Sequence, residues 1–496
     1  MNDIHIIMEV IIYVKNKTER MMKMKAKTLN MTEGSIIKNL IYFAIPVLIG
    51  NIFQQLYNVA DTAIIGNILG DSALAAVGAA APVYGLMIGF AGGLTNGFAV
   101  IIARYFGAKN MEQIKKSAAL TYVLSGIIAL VLTVTGVAAI HPLMKALKTP
   151  DEIIADTESY MRIIMLFSVL TIAYNMLAGM MRAIGNSRAP LYFLIASTFA
   201  NIILDLLFVK GFGMGVAGAA AATVISQGIS VVLCFIYAMK KCDFLIFDRT
   251  VLEYDRALLY DLTATGLSMG LMYAIVSVGS VILQGAVNSL GTTTITAHTA
   301  ARKIDDIFML TLGTISMASS TFASQNYGAG KTDRVKKGIL YGILIAFGWS
   351  AFSLIVGVAF RKPLIQALTG TVDKAVIDTA SRYIIWNLSF FFVLSVLLVL
   401  RSSLQGVGRK LIPVCGSGIE LILKIVVSAV LAPKLGYFGI CICEPLIWIL
   451  SAGLVLSDYA VFIKSIDEAD SGRIRKVRGR GKHRYLQGVF YSKDRY

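Results

Sequence analysis

The chain has 496 residues, 56% hydrophobic and only 15% charged, with a mean hydropathy of +0.72, where soluble domains carry about 25% charged residues. This balance argues against a water-soluble enzyme; the length instead suits about a dozen membrane spans of ~20 apolar residues with short connections. The net charge of +17 sits at the ends and in short loops, and the five cysteines have no CxxC spacing that would signal a zinc site or a disulfide framework.

In chain order, the first apolar run, 4–14, is broken by Glu9, is too short to span and is followed rather than preceded by basic residues, so it does not read as a signal peptide. Early methionines, Met31 the last of them, suggest that part of the first thirty residues is dispensable to the fold. Apolar stretches between Gly, Pro and charged residues then predict spans at 38–64, 74–102, 117–139, 160–181, 189–210 and 216–239, and a second set at 262–288, 294–323, 337–360, 382–404, 411–432 and 437–462. Alternate loops differ in charge: Arg104, Lys115, Lys116, Arg182, Lys240, Lys337 and Arg409 crowd one side, while the other holds few, such as Lys145, Lys210 and Lys362. The basic side is cytoplasmic, which puts both termini in the cytoplasm and the chain in the inner (plasma) membrane. The basic run Arg473–Arg484 reads as a solvated tail that reinforces orientation, with no nucleic-acid partner.

An internal repeat organises these spans. FGAKNMEQIKK at 106–116 matches YGAGKTDRVKK at 327–337 without a gap, an offset of 221 that also pairs Asn67 and Gly70 with Asn288 and Gly291. Gly185 and Pro190 find Gly408 and Pro413 two residues further on. Six spans per half leave the halves in one orientation, related by an axis along the membrane normal, with a ligand site expected near the midplane. The expected architecture is an all-α polytopic membrane protein, twelve transmembrane helices in two six-helix pseudo-symmetric lobes. Its parts are a cytoplasmic tail (1–36), a first lobe (37–240), a linker (241–258), a second lobe (259–464) and a basic tail (465–496). Gly330, Lys331 and Thr332 imitate the end of a phosphate-binding loop, but Gln325 stands where its first glycine belongs and no strand precedes it. No other nucleotide motif occurs, so active transport draws on an ion gradient, with no cofactor.

Ionisable residues at bilayer depth are costly and mark function. The first half has Asp61 in span 1 and Asp205 in span 5, with Asn201 one turn before Asp205 on the same face. Gln54, Asn58, Asn175 and Thr223 add uncharged polar groups. The repeat offset places Ile282 opposite Asp61 and Val426 opposite Asp205, so the scaffold does not itself require the acids. Two carboxyls in one dehydrated cavity cannot both stay ionised cheaply: they either share a proton or, with Asn201 and Thr223, form an oxygen cage for a sodium ion at Asp61 and Asp205. The second half carries Glu420 and Lys424 at i,i+4, the favourable order for a self-neutralising pair, and Glu444, the repeat counterpart of Thr223, giving a possible second polar site. Asp305 and Asp306, after Arg302 and Lys303, either pair locally or face the cleft.

The stretches IPVLIGNIFQQLYNVADTAIIGNILG, RYFGAKN, MRAIGNSRAPLYF and NIILDLLFVKGFGMGVAGAAAATVISQ resemble the multidrug and toxic compound extrusion (MATE) family, over roughly 35–462. The resemblance implies a V-shaped transporter, not an enzyme, that exports organic, mostly cationic compounds in exchange for protons or sodium. The pattern looks closest to the prokaryotic DinF-like branch, whose first-lobe ion site maps onto Asp61, Asn201, Asp205 and Thr223, with Gln54 and Asn175 as neighbours. Another branch carries an acid in span 7 that has no counterpart in 267–287, which favours coupling through the first lobe. The expected partners are a small organic cation, a proton or sodium and the lipid bilayer, around a monomer. A flippase for a lipid-linked sugar is the alternative; it asks for a basic cavity, for which Arg302, Lys303, Arg382 and Lys424 are the candidates.

Overall fold

The computed structural model describes residues 28–147, 149–252 and 255–470. The basic C-terminal run and most of the N-terminal tail lie outside them. All regular structure among the described residues is helical: α1 (Ile36–Leu69), α2 (Asp71–Gly107), α3 (Met111–Ala146), α4 (Asp151–Leu166), α5 (Ser168–Ala183), α6 (Arg188–Asp205) and α7 (Gly215–Lys241), then α8 (Arg256–Asn288), α9 (Thr292–Gly328), α10 (Thr332–Ala359), α11 (Arg361–Thr369), α12 (Lys374–Ser389), α13 (Phe391–Gly406), α14 (Leu411–Val426), α15 (Ala432–Leu435) and α16 (Tyr437–Asp470). Among the described residues ten segments are long and apolar enough to cross a membrane, and the total is twelve, the number expected, when each of two bent helix pairs is counted as one span. Large apolar side chains such as Leu130, Val134, Ile355 and Val461 remain exposed; in a bilayer these face lipid, where apolar exposure carries no penalty.

Spans 4 and 10 depart from single helices. α4 and α5 meet at 47° and α12 and α13 at 50°, at Phe167 and Phe390, whose ψ values of 17° and 4° leave the helical range. No Pro or Gly stands there, so the bend has no sequence signal; Leu170 N–H turning to the Phe167 carbonyl and Phe390 N–H to the Asn387 carbonyl tighten each junction into i→i+3 bonds. The two bends are repeat-related, as are two π-helical segments, 206–211 after α6 and 427–431 after α14.

Packing divides the described chain into two compact units: 45–102 and 111–270 with the short stretch up to Leu29, and 30–44, 103–110 and 271–470. The first has a core around Met87, Met144, Met161 and Met165; the second is built around Phe308, Tyr383, Phe391 and Trp448. In the second unit the two copies of the repeated loop meet. A Cβ on Gly107 would lie 1.8 Å from the Gln325 carbonyl oxygen, and one on Gly328 would lie 1.8 Å from that of Arg104, so the close approach is reciprocal across the repeat. Gly328→Ala therefore forces two backbones apart, and a destabilisation of about 1–3 kcal/mol or more is expected, read as a lowered melting temperature in detergent; an unchanged value would contradict the close approach.

The loop that imitates a phosphate-binding site holds the chain's own N-terminal segment. Lys331 Nζ donates to the Thr32 carbonyl at 2.8 Å, Arg334 donates to those of Met31 and Gly34 at 3.1 and 3.0 Å, and Met31 N–H donates to Gln325 Oε1 at 3.2 Å. Met31 is fully buried, so the segment from Asn30 on belongs to the fold, whatever lies upstream.

Candidate functional site

In the first unit, helical spacing aligns polar groups on three helices. Gln54, Tyr57 and Asp61 recur at three and four residues along α1, Ser197, Thr198, Asn201 and Asp205 do so along α6, and Thr223, Ser226, Gln227 and Ser230 along α7. α6 packs along α7, and Tyr57 donates to Thr223 Oγ1 at 2.9 Å, tying α1 to α7. The π-helical turn begins directly after Asp205; such turns are frequent at functional sites.

The aspartates come together in this frame. Asp61 is 8% exposed and Asp205 fully buried, with their carboxyls within hydrogen-bonding reach of each other and Asn201 beside Asp205. Asp61 Oδ1, both oxygens of Asp205, and both polar atoms of Asn201 have no well-formed hydrogen bond. Buried polar groups in such a state are few in folded proteins, and here four of the five are oxygens gathered in one place, a set that suits a proton or a small cation. Tyr84 and Tyr160 lie within electrostatic range of Asp61.

Toward the start of α1 and α6, a polar cavity of about 20 Å³ adjoins this group, lined by Gln54, Tyr57, Tyr174, Ser197, Thr198 and Gln227 among others. It has room for about one water molecule. Gln54 thus belongs to the neighbourhood. Asn58 does not: although its spacing from Gln54 and Asp61 suits the same face, it is exposed at the edge of α1 and donates to Gln55 Oε1 at 3.2 Å. Asn175 is half-buried on α5, next in sequence to Tyr174. The tyrosines escape a search for acids and amides, although Tyr57 stands at i−4 from Asp61, a spacing that points to one face; the amide Gln227 is an addition from the structure.

The second unit gathers Glu420, Lys424 and Glu444 with more. Lys424 Nζ lies 2.8 Å from Glu420 and 3.3 Å from Glu444, and donates to Ser280 Oγ at 3.4 Å. The local pair expected from i,i+4 spacing is therefore formed, but it is one side of a larger network. Arg302 reaches Asp306 at 3.4 Å, Glu444 at 3.7 Å and Asp305 at 3.9 Å, and donates to the Tyr383 hydroxyl at 3.3 Å. Of the two acids beside it, Asp306 pairs locally with Arg302, whereas Asp305 lies at the edge of ion-pair distance with neither oxygen hydrogen-bonded; Arg302 also links this group to α16.

Three comparisons place this arrangement among known proteins. The profile of the family described as MatE matches residues 46–207 and 269–430, once in each half. The "Probable multidrug resistance protein YoeA" of Bacillus subtilis (strain 168) is 26% identical over 444 residues, 87% of this chain and 95% of that protein. From the same organism, the "Probable multidrug resistance protein YpnP" is 26% identical over 386 residues, 78% of this chain and 86% of its own. A solved structure described as the outward-facing conformation of a multidrug resistance MATE family transporter of the MOP superfamily shares the fold, with a TM-score of 0.83 at 22% identity, over 90% of this chain and 99% of that one.

Proposed function

From the premise that this chain belongs to the MatE family, its profile matching both halves, we propose that it is a cation-coupled antiporter that exports organic, mostly cationic compounds by alternating access. Residues 37–240 and 259–464 are the two lobes, joined by the 241–258 linker, in a monomer of the plasma membrane with both termini in the cytoplasm. The observation that carries this reading is the Asp61–Asp205 pair, buried with oxygens that no protein donor satisfies.

The chemistry follows from charge. An ionised aspartate in a low-dielectric cavity attracts an organic cation more strongly than water-exposed carboxylates do, and a proton or sodium ion arriving at the same oxygens cancels that attraction. Cargo and coupling ion then exclude each other, which is the condition for exchange. Asn201 Oδ1 and Thr223 Oγ1 complete the oxygen set. The names of the Bacillus subtilis relatives, which refer to multidrug resistance, support the substrate class.

The test is efflux of ethidium from vesicles reconstituted with the purified protein, under an imposed proton or sodium gradient of either direction. Efflux driven by one gradient and silent without it is expected; efflux indifferent to both would overturn the coupling. Tyr57→Phe removes the hydroxyl that joins α1 to Thr223, at a cost of about 1 kcal/mol. A fewfold slower exchange with the protein still folded is the expected outcome in the same vesicles, and an unchanged rate would remove Tyr57 from the site.

A further inference from the structure

The second-unit cluster stands where the repeat places the first-unit site. Asp305 follows Tyr84 by 221 residues and Glu444 follows Thr223 by the same offset, while Tyr383 follows Tyr160 by 223, the interval that also separates Gly185 from Gly408. In the first unit Tyr84 and Tyr160 lie within electrostatic range of Asp61, and Thr223 accepts from Tyr57, which does too. The counterparts of Tyr84, Tyr160 and Thr223 surround Arg302 in the second.

The cluster's charges are unevenly shared. Four acids, Asp305, Asp306, Glu420 and Glu444, meet two bases within ion-pair distance, Arg302 and Lys424, and Arg401 lies within electrostatic range of Glu420. Lys303 and Asp306 are exposed to solvent, so it is the buried acids that need a partner, and their positions show which of them lacks one. Lys424 serves Glu420 and Glu444, and Arg302 donates to Tyr383 and Asp306. His298, facing Tyr383 edge-on, has its Nδ1 3.2 Å from the Tyr437 hydroxyl. Asp305 is 1% exposed and neither of its oxygens receives a hydrogen bond, the nearest cation being Arg302 at 3.9 Å. A bare carboxylate in that position is among the costliest groups a membrane protein can hold; one proton removes the cost.

We infer that the second unit carries a proton-binding site of its own, at the Asp305 carboxyl, distinct from Asp61 and Asp205. A proton from water is held on an Asp305 oxygen while Arg302 serves Asp306, Glu444 and Tyr383. It returns to water when Arg302 turns its N–H groups to Asp305, so only an O–H bond is made and broken. Groups facing Asp305 are Arg302 and Asp306 on α9, Tyr383 on α12 and Glu444 on α16.

The experiment uses the full-length protein carrying Asp61→Asn and Asp205→Asn, and it reads occupancy rather than export, so its failure and that of the coupling reading are distinguishable. Infrared spectra are recorded in detergent at about pH 7, where solvated carboxyls with pKa values near ~4 are ionised. A protonated-carboxyl band is expected to remain in this background, to disappear with Asp305→Asn and to survive Asp306→Asn. Asp305→Glu, which retains the carboxyl, keeps a band at a shifted frequency. Absence of the band from the double variant, or its survival in Asp305→Asn, would overturn the inference.

Discussion

Asp205→Asn is expected to abolish gradient-driven ethidium export while leaving the protein folded and inserted. The substitution keeps shape and removes only charge and the capacity to bind a proton. The Asn amide retains hydrogen-bonding reach to Asp61 and removes a buried carboxyl that no well-formed hydrogen bond satisfies, so the melting temperature in detergent should stay at or above that of the unmodified protein. The organic cation loses a charge interaction of about 1.5–3 kcal/mol, which lowers its affinity by roughly 10- to 100-fold. Asp61→Asn gives the same phenotype, since either residue alone leaves the pair unable to exchange cargo for ion. Export that persists in both single variants would remove the pair from the mechanism.

Lys424→Met acts on stability instead. Lys424 is 1% exposed and holds Glu420 and Glu444 at once; taking its ammonium away leaves Glu420 without its ion-pair partner and Glu444 with Arg302 alone, and breaking a buried ion pair from one side costs about 3–5 kcal/mol. A large drop in melting temperature is expected. Adding Glu420→Gln should restore much of it, because the stranded charge, more than the missing attraction, is what destabilises, and Glu444 keeps Arg302 at 3.7 Å. A single variant as stable as the unmodified protein would mean that the network does not hold α14 to α16.

How much of this was legible in the sequence differs by level. The spans were, because apolar runs of membrane length and one-sided loop charge are imposed by the bilayer. The repeat was too, down to Lys109, whose φ of +56° matches the +68° of Gly330, its counterpart. The bends at Phe167 and Phe390 were hidden, since a junction made by i→i+3 bonds needs no Pro or Gly. At the site, Asp61, Asn201, Asp205 and Thr223 stand out because polar groups are rare at that depth, and helical spacing was enough to bring Asn201 onto the Asp205 face. Asn58 shares that spacing yet lies exposed on α1, since residue type and spacing alone do not say which side is wet. Tyr57, Tyr84 and Tyr160 were missed because aromatic residues are ordinary in membrane helices, and the contact of Arg302 with Glu444 because the two lie more than a hundred residues apart, a pairing that no local spacing encodes.

The most direct measurement is the affinity of the purified protein for ethidium, followed against pH at fixed sodium and against sodium at fixed pH. If cargo and coupling ion share the Asp61–Asp205 oxygens, affinity falls as the coupling ion rises, by up to about tenfold per tenfold increase for one ion displaced, and the dependence vanishes when both aspartates are replaced by Asn. An affinity constant across both series, or a dependence that survives in the double variant, would contradict the account.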